Sequence, residues 1–166
     1  MKLISTILLF SILLFSCKEV GEKGMIKDIK KLEENKSFSH SDTLINSYLN
    51  FVKLYPDNPN AIKFLFKAAE SNVKAKRNAK GAQLYEQLAT IYMDKDELAS
   101  ESLIRAGLNY ESLNDIVNAK RVYNEFLKRY PKHERAADIK KNIEIMGLSV
   151  DEMMKRIFSA DSTRAN

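Results

Sequence analysis

Apolar residues recur along the chain at the three- and four-residue spacing of amphipathic helices, with short polar stretches between them. Two consecutive helices show the pattern most clearly, with apolar faces formed by Leu103, Ala106, Gly107 and Tyr110 and by Ala119, Tyr123, Phe126 and Leu127. No stretch of alternating β-branched residues lies between hairpin turns. The pattern therefore predicts an all-α fold built of helix pairs.

The helical pattern also repeats. A shift of 38 residues places Leu65, Ala68 and Tyr85 on Leu103, Ala106 and Tyr123. A period of this length, built of paired apolar helices, is typical of a helical repeat array.

The segment from residue 100 to residue 133 carries the most complete repeat. Small residues at Gly107 and Ala119 let two helices cross closely, and a proline ends the second helix. This segment resembles the tetratricopeptide repeat. The matching residues are Leu103, Ala106, Gly107, Tyr110, Ala119, Tyr123, Phe126 and Pro131. The resemblance implies a right-handed superhelix of antiparallel helix pairs with a C-terminal capping helix.

Other segments fit the repeat less completely. Residues 62–95 match at fewer positions, and residues 25–35 lack the small residues, so they form a degenerate or lid-like element. We assign residues 25–146 to the array, with a capping helix that ends near residue 146. Residues 147–166 are assigned to a short C-terminal helix and a polar tail.

The N-terminus has the pattern of an export signal. Residues 1–16 combine Lys2, an apolar run too short for a permanent membrane span, and a small residue at the end. Leu14-Phe15-Ser16-Cys17 resembles the lipobox of bacterial lipoproteins, which implies signal cleavage and lipid attachment at Cys17, including acyl chains such as palmitate. The alternative is a buried or free thiol. Residues 17–24 are then a lipidated tether, with Gly21 and Gly24 supplying flexibility.

The residues after Cys17 bear on location. Lys18 is not the aspartate that resembles an inner-membrane retention signal, which favours the outer membrane with the protein facing the periplasm. Cys17-Lys18-Glu19 also resembles a surface-export signal, so exposure on the cell surface is the alternative.

The tetratricopeptide resemblance implies a binding groove lined by the first helix of each pair. Helical periodicity places one set of side chains away from the apolar core, where apolar members anchor a partner and charged members set its register. This set is Lys63, Phe66, Glu70, Lys74, Glu101, Ile104, Leu108 and Glu111. The alternative is that residues 25–35 fold over the strip and convert it into core.

Composition excludes several classes of protein and several kinds of site. The chain of 166 residues has a net charge of +5, 45% hydrophobic residues and 30% charged residues, so it is not a disordered chain. One Cys and two His exclude an internal disulfide and a four-ligand Cys/His zinc site. Acidic residues are interspersed among the basic ones, which argues against a nucleic-acid partner.

Catalytic motifs are absent from the sequence. Ser39, His40, Ser41 and Asp42 superficially offer a nucleophile and a base, but Ser41-Asp42 is better interpreted as a helix cap. No phosphate-binding loop or metalloprotease motif occurs. We therefore predict no enzyme activity, no cofactor and no metal site.

The sequence predicts a membrane-anchored lipoprotein scaffold that binds a protein or peptide through its groove. The stretch from Tyr55 to Ala61 resembles helix junctions of envelope repeat lipoproteins of the β-barrel assembly and Tol-Pal coordinator type, which favours cell-envelope assembly. The alternative function is a surface lipoprotein that binds an extracellular peptide or glycan. The sequence does not predict the partner's identity or the oligomeric state.

Overall fold

The computed structural model describes residues 21–93 and 95–155, and every regular element in these ranges is helical. The predicted signal segment 1–16 and Cys17 lie outside the described residues, as do residues 156–166, which include the end of the predicted C-terminal helix and the polar tail. The chain divides into two compact units, Met1–Leu84 and Tyr85–Asn166. Within the described ranges, no helix is both long enough and apolar enough to span a membrane.

The first unit contains three complete helices and the start of a fourth. Residues 21–34 form α1, and a 3-10 turn at Lys36–Phe38 leads to α2. The other helices are α2 (Asp42–Leu54), α3 (Pro59–Lys74) and α4 (Asn78–Ile91), the last of which continues into the second unit.

Local sequence explains where these helices begin. The Ser41 hydroxyl accepts a hydrogen bond from the backbone N–H of Leu44 at 3.3 Å, which confirms the predicted cap of α2. Asn58 caps α3 in the same way, and Pro59 occupies the first turn, where its missing N–H costs nothing.

Helix α1 packs into the first unit. Ile29 is only 2% exposed, and the Tyr48 hydroxyl donates to the Glu33 carboxylate at 2.9 Å. Residues 21–24, which we expected in the flexible tether, form the first turn of α1 instead. The reason is tertiary contact near that turn, because a Cβ at Gly21 would lie 3.0 Å from the Tyr55 hydroxyl and Glu22 accepts a hydrogen bond from Asn58.

The second unit contains the predicted repeat. Its helices are α5 (Asp96–Ser112), α6 (Ile116–Arg129), α7 (Ala136–Ile145) and the turn of α8 at residues 150–155. Asp115 caps α6 by accepting from the backbone N–H of Asn118 at 3.1 Å. Helix α7 packs on α6 through Ala136 and Ile139, as expected of a capping helix.

The crossing of α5 and α6 is as close as the small residues predict. Gly107 and Ala119 are buried, and a Cβ added at Gly107 would lie 2.2 Å from Cε1 of Tyr123. The ring of Tyr123 therefore occupies the space that any side chain at position 107 would need.

Candidate protein-binding surfaces

In the first unit, two of the predicted groove residues line a cavity of about 250 Å³. These are Glu70 and Lys74 on α3, while Lys63 is exposed and Phe66 is half-buried outside the cavity lining. The full lining is Glu33, Ser39, His40, Leu44, Tyr48, Lys67, Glu70, Ser71 and Lys74. The cavity has room for a side chain of a partner rather than for a large ligand.

One ion pair lies in this cavity. The Lys67 ammonium lies 2.6 Å from the Glu33 carboxylate, which also accepts from Tyr48. The buried Nδ1 of His40 has no hydrogen-bond partner within the described residues, and the His40 backbone is left-handed, with φ of 60°. The cavity therefore presents charged and polar side chains to a group that enters it.

Sequence reasoning missed Lys67 and Tyr48 at this cavity. The helical pattern could have predicted Lys67, because Lys67, Glu70 and Lys74 are spaced by three and four residues on α3 and so share one face. Tyr48 belongs to the apolar face of α2, and only its hydroxyl contact with Glu33 brings it to the cavity.

In the second unit, the prediction that Ile104 lines a groove was wrong. We expected Ile104 in an open groove, but it is only 1% exposed. Ser102 and Ile104 are both buried although they lie on opposite sides of Leu103, so the buried arc of α5 covers more than half of its circumference. A single apolar stripe therefore underestimates how much of this helix is core.

Glu111 also differs from the prediction, because its carboxylate makes contacts within the unit. Its carboxylate accepts from the Tyr123 hydroxyl at 3.0 Å and from the Asn142 amide at 3.1 Å. Glu111 thus joins α5 to α6 and α7, and its charge serves the packing of this unit.

The remaining outer side chains of α5 form one exposed surface. We define the α5 outer face as Glu101, Arg105, Leu108 and Ser112, which are spaced by three and four residues. Leu108 is 46% exposed, and Arg105 pairs with Glu101 at 2.6 Å. The face offers an apolar anchor beside a salt bridge, which suits contact with another polypeptide.

A second cavity, of about 510 Å³, lies where α5 begins and α6 ends. It is lined by Glu97, Ser100, Arg129, Tyr130, Pro131, Lys132 and His133. The Arg129 guanidinium donates to the Ala89 carbonyl at 3.1 Å and to the Tyr130 hydroxyl at 3.0 Å, so it is held in place. The sequence analysis did not predict this cavity.

Buried tyrosines hold their protons more tightly than exposed ones. Burial and the hydrogen bond to Glu86 raise the pKa of Tyr110 to about 12. Burial also raises the pKa values of Tyr48 and Tyr123 well above the usual range, with nearby Glu33 and Glu111 adding to the effect. Each phenol donates to a carboxylate, so its ionisation would place two negative charges together.

This arrangement predicts loss of stability at alkaline pH. The folded pKa of Tyr110 is about 12, whereas the unfolded value is about 10, so the unfolded chain loses its protons first. The free energy of unfolding is expected to be constant up to about pH 10 and to fall between about pH 10 and pH 12. Denaturant titrations followed by circular dichroism would measure this fall. Tyr110→Phe should make it shallower, and an equal slope in the variant would contradict the prediction.

The residues that the structure describes contain no cluster of three or more His, Cys, Asp or Glu side chains able to hold a metal ion. The described helices instead pack pairwise, with close crossings at glycine and alanine and with tyrosine–carboxylate hydrogen bonds between helices. These features are typical of the class of α-helical repeat proteins.

Comparison with protein families identifies the repeat. Residues 101–133 match the family model of the tetratricopeptide repeat, which confirms the repeat that the sequence predicted at 100–133. The match covers 33 of the 166 residues and supports one tetratricopeptide repeat in this segment, a kind of repeat that suggests a scaffold for protein–protein interaction. A search of curated proteins gave no significant match.

Proposed function

We propose that the protein is a lipid-anchored scaffold that holds a partner protein beside a membrane of the cell envelope. The tetratricopeptide repeat at residues 101–133 is the observation that carries the binding role. The lipobox-like Leu14-Phe15-Ser16-Cys17 supports the anchor, and Lys18 favours delivery to the outer membrane, facing the periplasm.

The α5 outer face is the proposed contact for the partner. Leu108 is its apolar member, and the Glu101–Arg105 pair beside it would set the register of a bound segment. In the first unit, the cavity with Glu70 and Lys74 would accept a polar side chain of a partner. Each surface lies within a single unit, and each can be tested separately.

Replacing Leu108 by glutamate is expected to weaken partner binding without unfolding the helices. A charge at this position would have to lose its hydration when the partner covers it, and binding should fall by about tenfold or more. The measurement is recovery of crosslinked partner from envelopes, with helicity checked by circular dichroism.

Val117→Glu is the matched control. Val117 lies on α6 in the same unit and is 79% exposed, so the substitution adds the same charge to another surface. Recovery should be normal with this variant. Equal losses from both variants, or no loss from Leu108→Glu, would move the contact away from the α5 outer face.

A second candidate is a lipoprotein on the cell surface that captures an extracellular peptide or glycan. Cys17-Lys18-Glu19, with its likeness to a surface-export signal, favours this candidate. Protease treatment of intact cells separates the two functions. Digestion of the helical units from outside would support surface capture, whereas full protection would support the periplasmic scaffold.

A further inference from the structure

The outward side of α1 carries a row of lysines. We call Lys23, Lys27, Lys30 and Lys31 the lysine face, because their spacing of one, three and four residues places them on the same side of the helix. All four side chains are exposed. Ile29, on the other side of α1, is buried in the first unit.

Two of the four acidic residues of α1 point away from the lysine face. Glu22 accepts from Asn58, and Glu33 is held between Tyr48 and Lys67. Asp28 lies 3.5 Å from Lys31 at the border of the lysine face, and Glu34 follows at its C-terminal end. The lysine face therefore carries more positive than negative charge, with four lysines against Asp28 and Glu34.

The position of this face in the chain is its second relevant property. Residues 18–20 separate Cys17 from the start of α1 at residue 21, and the four extended residue steps between positions 17 and 21 span at most about 14 Å. This step rests on the proposed function, because a lipid on Cys17 would then hold the start of α1 within about 1.5 nm of the headgroups. Electrostatic attraction acts over a similar distance, since the Debye length is about 8 Å at physiological ionic strength.

We propose that the lysine face of α1 lies on an anionic phospholipid surface and orients the first unit against the membrane. Lysine ammonium groups suit this role, because they act as point charges and attract phosphate headgroups without a fixed geometry. The lipid would attach the protein to the membrane, while the lysines would determine which side of the first unit faces the bilayer.

The test couples the chain from Cys17 onward, which contains every described residue, to vesicles. Produced without residues 1–16, the chain is not acylated and keeps its Cys17 thiol. Because the sequence has one cysteine, a maleimide lipid attaches the protein at that position. The vesicles are either phosphatidylcholine alone or phosphatidylcholine with about one third phosphatidylglycerol. Brief acetylation followed by mass spectrometry then reports the reactivity of each lysine.

We expect Lys27, Lys30 and Lys31 to react about fivefold or more slowly on the anionic vesicles than on the neutral ones. High salt should remove the difference because it screens the charges. Lys140 and Lys141, two exposed lysines on α7 in the second unit, serve as internal controls and should react equally on both vesicles. Lys27→Glu combined with Lys30→Glu should abolish the protection of Lys31, whereas Lys140→Glu with Lys141→Glu should leave it intact.

Equal reactivity of Lys27 and Lys30 on the two kinds of vesicle would overturn the proposal. Equal protection of Lys140 and Lys141 would also overturn it, because the attraction would then be general rather than oriented by α1. The coupling bypasses biological lipidation, so neither result would bear on the proposed anchor, which replacement of Cys17 by serine in cells would test separately.

Discussion

Gly107→Ala is expected to destabilise the second unit by about 3 kcal/mol or more, near the upper end of overpacking effects. The added Cβ would lie 2.2 Å from Cε1 and 2.6 Å from Cδ1 of Tyr123. The ring has little room to retreat, because Tyr123 is buried and its hydroxyl is bonded to Glu111. The better helix propensity of alanine adds only about 1 kcal/mol in the opposite direction. Denaturant unfolding followed by circular dichroism would measure the loss.

Gly24→Ala is the matched control for this substitution. Among the described residues, a Cβ at Gly24 would have no atom within 4 Å apart from its chain neighbours and the local helix backbone, and residue 24 lies in α1. The same exchange should therefore raise stability by about 0.5–1 kcal/mol through helix propensity and reduced freedom of the unfolded chain. If Gly107→Ala proved as stable as the parent protein, the close crossing of α5 and α6 would be refuted.

Cys17→Ser is expected to release the protein from the membrane fraction almost completely. Several acyl chains on one residue attach a protein lastingly, because each buried methylene contributes about 0.8 kcal/mol. Serine lacks the thiol that accepts the lipid. The measurement is the distribution of the protein between membrane and soluble fractions after a high-salt wash, which removes proteins held by charge alone.

Two controls make this result interpretable. Circular dichroism of the variant should match that of the parent chain, since Cys17 precedes all of the described helices. Lys27→Glu with Lys30→Glu should leave the protein in the salt-washed membrane fraction, because these lysines are proposed to orient it and not to attach it. A Cys17→Ser protein that stays with the washed membranes would contradict the lipid anchor.

Sequence patterns predicted the repeat well because the relevant signals are local. The spacing of Leu103, Ala106 and Tyr110 fixes one face of a single helix, and Ser41 and Asp115 cap helices that start beside them. Small residues at a crossing are likewise visible without coordinates. These signals sufficed for the all-helical fold and for the segment that matches the tetratricopeptide family.

The site residues were harder to predict because their environment depends on distant parts of the chain. Ile104 occupies a position that would be outward on a helix with one buried stripe, but α5 buries more than half of its circumference. Glu111 meets Tyr123 and Asn142, which are 12 and 31 residues away. Periodicity within one helix contains no information about such partners.

The first turn of α1 illustrates the same limit. Glycine and charged residues at positions 21–24 favour a flexible segment when considered alone. Contacts between Gly21 and Tyr55 and between Glu22 and Asn58 lie more than 30 residues apart in sequence and stabilise the helix there. Tertiary contact therefore outweighed local propensity, as it commonly does in helices.

Site-specific photo-crosslinking from position 108 in intact cells tests the central claim most directly. A photoreactive amino acid in place of Leu108 should give one discrete protein adduct in the membrane fraction, whereas the same group at Val117 should give none. The adduct should disappear when Cys17 is also replaced by serine, because the scaffold would no longer be held beside its partner. No adduct from position 108, or an identical adduct from both positions, would contradict a scaffold that binds through the α5 outer face.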